Sequence, residues 1–150
     1  MKIYFPVIAL LFLSITSYSQ GAADSVKNVV NTLFIAMKTS NSHLLKSCFT
    51  DSAILQTISK NKAGDVKIKN EKISEFAEFV GKQDKDIMDE QVIFDVVKTD
   101  ADLAIAWTPY KFYYKGTFSH CGVNSFQFVR INNIWKIQYL IDTRRAIGCE

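Results

Sequence analysis

The fold is decided by residues 107–145, which read WTPYKFYYKGTFSHCGVNSFQFVRINNIWKIQYLIDTRR. This stretch contains three runs rich in β-branched and aromatic residues, and such runs favour β-strands. The runs are separated by Lys115-Gly116 and Asn132-Asn133. Gly and Asn tolerate the positive φ angles that a two-residue hairpin turn requires. The stretch therefore predicts three long antiparallel strands, joined in order by two tight turns.

The two turns also predict which residues face each other across the sheet. With a two-residue loop at each turn, Asn124 faces Trp107 on one side and Ile141 on the other. One face is then mostly apolar, with Leu103, Ile105, Trp107, Phe126, Phe128, Trp135, Ile137, Tyr139 and Ile141. The other face is polar, with Thr108, Ser119, Ser125, Gln127, Lys136 and Gln138. This alternation predicts an antiparallel sheet with one buried face.

Pro109 lies opposite Gly122 in this register, and the pair predicts a β-bulge. Proline cannot donate to a strand ladder, and glycine often occupies bends. Because a bulge shifts the alternation beyond it, Tyr110 could replace Tyr113 on the inner face. If the pairing of Asn124 differs from the expected one, the pocket would have to be sought around Tyr110, Cys121, Asp142 and Arg144.

The rest of the chain predicts three helices and further strands. Apolar residues recur at helical spacing from Val26 to Met37, after a cap at Asp24-Ser25. A short helix follows Ser42, and a third follows Asn70. A short hairpin lies between the second and third helices, and residues 91–98 predict one long strand before the stretch quoted above. The layout predicts an α+β domain: three N-terminal helices on a curved antiparallel sheet of four long strands plus a short hairpin.

The first nineteen residues have the pattern of a secretory signal peptide. Lys2 precedes an apolar run that is followed by small residues, with Ser17 and Ser19 at the positions before the predicted cleavage. The alternative is a membrane anchor, for which the run is short. Residues 20–150 form one predicted domain, exported to the periplasm or secreted. Its basic residues are scattered, so no nucleic-acid partner is expected.

The three cysteines fit no zinc motif, and we expect no metal site and no cofactor. An oxidising compartment permits one disulfide with one cysteine left over. The register brings Cys121 close to the C-terminus, which favours a Cys121–Cys149 bond. The alternative is that Cys48 and Cys121 are buried thiols.

The order of elements, with Phe49-x-Asp51-Ser52-Ala53 before the first strand and Trp135-Lys136-Ile137 in the last, resembles the nuclear transport factor 2-like superfamily, which includes polyketide-cyclase-like domains. The segments 107–113, 119–122 and 142–145 are similar to a bacterial lumazine-binding group within it. The resemblance implies a cone-shaped barrel with a pocket at its wide end. It also implies dimerisation through the convex face of the sheet, and hence a homodimer.

His120 is the best candidate for a catalytic residue, since a partly buried histidine can act as a general base near neutral pH. The alternative is a structural histidine bonded to the backbone. We expect the ligand-binding residues to be Trp107, Tyr113, His120, Asn124, Tyr139 and Arg145, with Arg145 as an anion clamp. The carboxylate position of related isomerases corresponds to Thr57, and Asp142 is expected to point outward.

The sequence leaves three functions open and does not decide whether the protein is an enzyme. The first is an exported domain that binds an unidentified small molecule in an aromatic and polar pocket. The second is a dehydratase, cyclase or isomerase with His120 as base. The third is a dimeric interaction domain.

Overall fold

The structure is a computed structural model that describes residues 16–61 and 63–149, with side chains from residue 21 onward. The helices are α1 (Thr16–Lys38), α2 (Ser42–Ser47) and α3 (Ile73–Gly81). The strands are β1 (Phe49–Lys60), β2 (Val66–Glu71), β3 (Met88–Val92), β4 (Val96–Asp100), β5 (Leu103–Tyr114), β6 (Thr117–Ile131) and β7 (Ile134–Thr143). The predicted α+β class, with three helices on a curved sheet, is confirmed.

The N-terminal prediction is tested only in part. Residues 1–15 of the expected signal peptide lie outside the described residues, and residues 16–19 belong to the start of α1. The expected helix start at Asp24-Ser25 is wrong, because α1 already begins at Thr16. Within the described part of the chain, no helix is both long and apolar enough to cross a membrane.

The sheet is mixed and open, which corrects the expected all-antiparallel, cone-shaped barrel. The strand order is β2-β1-β7-β6-β5-β3, and β4 also pairs with β5. β1 and β7 run parallel, with Leu55 opposite Leu140, whereas the other pairs are antiparallel. The parallel pair joins the hairpin of β1 and β2 to the long strands, so both ends of the chain contribute to one layer.

The single long strand expected over residues 91–98 is wrong, because β3 and β4 are separate strands along the same edge of β5. The break lies beside Pro109, whose carbonyl accepts a hydrogen bond from Ile93 N at 2.9 Å. Proline has no N–H to return to the edge strand, so the ladder loses its second bond at this pair. The chain rejoins β5 where Asp95 N donates to the Trp107 carbonyl at 3.2 Å.

Both tight turns are confirmed. Lys115 and Gly116 have φ angles of 52° and 74°, and Asn132 and Asn133 have φ angles of 50° and 64°. Next to the turns the expected pairs are present, with Tyr113 opposite Phe118 and Ile131 opposite Ile134. The turn chemistry therefore predicts the first pairs of each hairpin correctly.

Two bulges then shift the register, and neither lies at Pro109. Pairing slips between Phe112 and Tyr113, which leaves Ser119 of β6 as an extra residue, and again at Gln138 of β7. Asn124 consequently faces Thr108 and Asp142, and the predicted pairing with Trp107 and Ile141 is wrong. Each bulge reverses which side chains face the helices beyond it.

The core lies between α1 and the inner face of the sheet. Phe126, Phe128 and Ile137 are fully buried and Trp135 is almost so, as predicted. α1 contributes its predicted stripe, and it packs against β3, β4, β5 and β7, whereas α3 packs against β1. The prediction for Leu103, Ile105 and Trp107 is wrong, because they alternate with buried Ala104, Ala106 and Thr108 and are exposed.

Gly122 is required by a close approach of two strands. A Cβ atom at this position would lie 1.7 Å from the Thr143 carbonyl oxygen and 2.8 Å from the Tyr110 ring. The absence of a side chain lets β6 and the end of β7 meet around Tyr110, whose hydroxyl donates to the same Thr143 carbonyl at 2.9 Å. Gly122 thereby positions a polar cluster at this end of the sheet.

The predicted disulfide between Cys121 and Cys149 is confirmed, and Cys48 is a buried free thiol. Cys121 also pairs with Arg145 through two backbone hydrogen bonds of 2.9 Å. The disulfide and this bridge fix the C-terminal segment against β6. As a result, the backbone of Arg144 is held directly beyond the end of β7.

Candidate functional site

A partly enclosed cavity of about 250 Å³ lies between the helices and the inner face of the sheet. Its apolar lining comes from Leu33, Phe34, Met37, Leu55, Phe76, Phe79, Met88, Phe112, Tyr114 and Leu140. Its polar lining comes from Glu71, Glu90, His120, Asn124, Asp142 and Arg144. An apolar wall with a few converging polar groups is the usual character of a small-molecule site.

Asp142 is the most deeply buried acid of the cavity, with 6% of its surface exposed. Its Oδ2 atom accepts a hydrogen bond from Arg144 Nε at 2.8 Å and lies 3.2 Å from the Tyr110 hydroxyl, whose single proton is shared between this atom and the Thr143 carbonyl. Arg144 also donates to Thr57 Oγ1 at 3.2 Å, so its guanidinium is tied to two partners. This ion pair provides the charge compensation that a buried carboxylate requires.

The second carboxylate oxygen of Asp142 is unpartnered. Oδ1 is buried and accepts no hydrogen bond from any of the described residues. A buried acceptor without a donor costs free energy, and the cost is removed when a ligand or water donates to it. Asp142 thus presents one free acceptor at the polar end of the cavity.

Glu90 forms a second acidic position on β3. Its Oε1 atom accepts a hydrogen bond from Asn124 Nδ2 at 2.8 Å. Burial raises the pKa of the Glu90 carboxyl to about 7; the nearby charge of Asp142 adds to this rise, and the Asn124 hydrogen bond and Arg144 oppose it. Near neutral pH, Glu90 therefore exchanges between its protonated and ionised forms.

His120 lies at the cavity wall with its ring between two aromatic side chains. The centroid of the His120 ring lies 5.0 Å from the centroid of the Phe112 ring and 5.7 Å from that of the Tyr110 ring. Its Nδ1 atom is 3.1 Å from Ser119 Oγ, the hydroxyl of the bulged residue. Burial, and then the positive charge of Arg144, lower the pKa of His120. The imidazole is accordingly neutral at pH 7 and is not held by backbone bonds at both nitrogens.

The structure brings together two of the six predicted ligand-binding residues, because His120 and Asn124 both line the cavity. The other four, Trp107, Tyr113, Tyr139 and Arg145, are absent from its lining. Trp107 lies on the exposed face, and the Tyr139 hydroxyl donates to Gln56 at 2.6 Å on that side of β1.

Tyr113 packs against Phe118, with 5.9 Å between ring centroids. Arg145 is exposed and donates to the Gly148 carbonyl at 3.2 Å, so it does not form the expected anion clamp in the cavity. Each displacement follows from the bulges, which turn these side chains away from the helices.

The register beyond the bulges supplies the residues that the sequence analysis missed. Asp142 was expected to point outward, and this is wrong, since it lines the cavity together with Arg144. The alternative set for a shifted register was Tyr110, Cys121, Asp142 and Arg144. Of these, Asp142 and Arg144 line the cavity, whereas Tyr110 contacts Asp142 without lining it and Cys121 forms the disulfide. Glu90 could have been found by extending the inward alternation of β3 two residues back from Val92.

Among the side chains that the structure describes, those of residues 21–61 and 63–149, no group of three His, Cys, Asp or Glu residues is placed to hold a metal ion. The cavity offers an apolar chamber with three carboxyl groups, a neutral imidazole and an arginine that is paired with Asp142.

No family profile and no curated protein sequence matches the chain. Among solved structures, the chain has the fold of nuclear transport factor 2-like proteins. One from Shewanella baltica, described as of unknown function, is 9% identical, with a TM-score of 0.65 over 84% of this chain and 95% of that one. Another from Silicibacter pomeroyi, also of unknown function, is 15% identical, with a TM-score of 0.63 over 87% and 100%.

A third similar structure, from Streptomyces avermitilis, is described as a "putative dehydratase" of this family. It is 13% identical, with a TM-score of 0.63 over 84% of this chain and 97% of that one. At these identities the likeness shows the fold alone. Lumazine binding stays a prediction.

Proposed function

We propose that this protein binds a small molecule in the cavity between α1, α3 and the sheet. The ligand has a mainly apolar body and a polar end that donates hydrogen bonds. The observation that carries this proposal is the buried Oδ1 atom of Asp142, which accepts no hydrogen bond from the described residues in a cavity of about 250 Å³. A donor from the ligand would satisfy that atom, while the phenylalanine side chains cover the apolar body.

The experiment is a screen of small aromatic and alicyclic compounds, including pterin-like, flavin-like and steroid-like ones, by ligand-detected nuclear magnetic resonance. Phe79 lines the cavity and is 52% exposed, so Phe79→Ala should weaken binding without unfolding the protein. Ile35→Ala is the matched control, because Ile35 is equally exposed at 56% and does not line the cavity. Hits that bind both variants like the wild type would contradict the cavity as the site.

A second candidate function is proton transfer, of the dehydratase, cyclase or isomerase type. The observation that favours it is the Glu90 carboxyl, which lines the cavity and has a pKa of about 7. A base with a pKa near the working pH is effective in proton transfer. The fold is shared with the protein from Streptomyces avermitilis described above. Glu90 and His120 are then alternative bases for the same reaction.

The probe for this second function is 5-nitrobenzisoxazole. The base removes the proton from C3, the C–H electron pair forms the nitrile, and the N–O bond breaks to give a coloured phenolate. A rate that rises with a midpoint at about pH 7 and disappears in Glu90→Gln would identify Glu90. A midpoint at lower pH that disappears in His120→Asn would identify His120, whose pKa is lowered. A rate equal to that of buffer would exclude proton transfer on this probe.

The proposal also includes export of the protein and the formation of a homodimer. The signal-like residues 1–19 support export to the periplasm or secretion, and the Cys121–Cys149 disulfide suits an oxidising compartment. A homodimer is supported by the apolar side chains Leu103, Ile105 and Trp107 on the outer face of β5. Light scattering of the purified protein tests the dimer, and N-terminal sequencing of the exported form tests cleavage after residue 19.

A further inference from the structure

We propose that the cavity is selective for a cation, namely a small ammonium compound with an aromatic or alicyclic body. The inference rests on the proposed binding function and adds the charge of the ligand. It departs from the anion clamp that the sequence predicts, because the cavity lining holds three carboxyl groups against one guanidinium, and a buried acceptor of Asp142 has no partner among the described residues.

Carboxyl groups outnumber guanidinium groups among the residues that line the cavity. Glu71, Glu90 and Asp142 contribute three carboxyl groups. Of these, Asp142 has a free Oδ1 atom, and Glu90 uses Oε1 for Asn124 and has no hydrogen bond at Oε2 within the described residues. An ammonium group donates up to three hydrogen bonds, so it suits the acceptor that Asp142 leaves free.

The single arginine of the cavity lining is already engaged. Arg144 donates to Asp142 Oδ2 at 2.8 Å and to Thr57 Oγ1 at 3.2 Å. These bonds use two of the five N–H donors of the guanidinium, but an anion at Arg144 would also lie close to the buried Asp142 carboxylate, and the two negative charges would repel each other. The arrangement of Arg144 thus discriminates against carboxylate and phosphate groups.

The aromatic side chains that line the cavity also favour a positively charged ligand. Phe34, Phe76, Phe79, Phe112 and Tyr114 line the cavity, and the face of an aromatic ring attracts a cation. Hydrogen bonds from a charged donor to a carboxylate are also about twice as strong as neutral ones. The apolar body and the ammonium group of one ligand would therefore both find their preferred surroundings.

The charge of the cavity depends on pH through Glu90. Polar groups from four other strands surround Glu90. They are Asn124 and His120 from β6, Asp142 and Arg144 from the end of β7 and directly after it, Tyr110 and Tyr114 from β5, and Glu71 from β2. The helix α1 presents only apolar side chains to the cavity. As the pH rises through about 7, Glu90 ionises and the cavity gains a negative charge. An aliphatic amine stays protonated over this range, so its affinity should increase.

The test compares three probes of the same shape, 2-phenylethylamine, 2-phenylethanol and phenylacetate, titrated into the purified protein by calorimetry or nuclear magnetic resonance. Above neutral pH we expect the amine to bind about tenfold more tightly than the alcohol, the difference between a charged and a neutral hydrogen bond. Phenylacetate should bind most weakly. The preference for the amine should decrease as the pH falls below about 7.

Two variants on β3 distinguish a charge inside the cavity from a charge outside it. Glu90→Gln should abolish the pH dependence and reduce the preference for the amine to about twofold. Asp89→Asn also removes one negative charge from β3, but Asp89 pairs with Lys38 at 2.9 Å and does not line the cavity, so the preference should stay. Asp142→Asn should weaken the amine further; if it does not fold, the Glu90 comparison still decides.

Equal affinities for amine and alcohol, or tighter binding of phenylacetate, would overturn the cation preference while leaving small-molecule binding intact. An equal loss of preference in Glu90→Gln and Asp89→Asn would also overturn it, since a general surface charge would then be responsible. If none of the three probes binds at millimolar concentration, the cation preference fails. Binding itself fails only if the wider neutral panel also leaves the protein unchanged.

Discussion

Removing each of the two tryptophans in turn is a direct test of the register. Trp135 lies on the inner face of β7 with 5% of its surface exposed, and Trp107 lies on the outer face of β5 with 45% exposed. The two substitutions, Trp135→Ala and Trp107→Ala, remove the same atoms from positions of opposite orientation. Their difference in stability therefore measures the orientation and not the chemistry of the side chain.

The magnitudes follow from burial. Trp135→Ala leaves a cavity in the core and should lower the free energy of unfolding by about 3–5 kcal/mol. The guanidinium of Arg130 lies 5.4 Å from the Trp135 ring centre, and losing this contact costs about 0.5–1 kcal/mol within that range. Trp107 keeps nearly half of its surface in water, so Trp107→Ala should cost only about 1–1.5 kcal/mol.

The assay is urea unfolding with the disulfide intact, followed by far-ultraviolet circular dichroism, since each variant lacks one of the two tryptophans. A difference of about 2–3 kcal/mol corresponds to a separation of roughly 1 M or more between the two midpoints. If Trp107→Ala destabilises the protein as much as Trp135→Ala does, β5 presents Trp107 to the core. In that case both bulges, and the cavity residues derived from them, are misplaced.

Gly122→Ala should destabilise the protein by at least about 2 kcal/mol, because the added methyl group would lie 1.7 Å from the Thr143 carbonyl oxygen. The control is Gly21→Ala, whose methyl group meets no atom within 4 Å, so this variant should be neutral or stabilising. Equal midpoints of urea unfolding for the two variants would refute this prediction. Cys149→Ser should lower the free energy of unfolding by about 3–4 kcal/mol, since the disulfide closes a loop of 28 residues. Reduction of the disulfide in the wild-type protein should lower it by the same amount, and a smaller loss in both cases would refute this prediction. The pKa of Glu90 is raised from 4.5 in the unfolded chain to about 7 in the folded one, so the folded state holds more protons between these values and stability should fall as pH rises through that window. Glu90→Gln should remove this part of the pH dependence in thermal unfolding, and an unchanged profile would show that Glu90 titrates normally.

The sequence predicts the elements of this fold better than it predicts their register. The turns at Lys115-Gly116 and Asn132-Asn133 require residues that tolerate positive φ, and this local requirement is visible in the residue types. The apolar stripe of α1 is visible for the same reason, as a spacing within one helix. The class of the fold follows from such local signals.

The bulges at Ser119 and Gln138 carry no comparable signal. Serine and glutamine are ordinary strand residues, and the extra residue at each bulge becomes visible only in the pairing of the strands. A single shift reverses the inward and outward positions of every residue beyond it. The cavity is accordingly lined by Asp142 and Arg144 in place of the predicted Tyr139 and Arg145, whereas His120 and Asn124 of the predicted set do line it.

The parallel pairing of β1 with β7 also determines when the protein can fold. The hairpin of β1 and β2 emerges early from the ribosome, yet the neighbour that joins it to the rest of the sheet is the last strand synthesised. Pairings between distant segments form slowly, because the intervening chain must be closed into a loop first. The sheet is therefore completed only after β7 has left the ribosome, and a nascent chain stopped at residue 131 should show no lasting amide protection in β1.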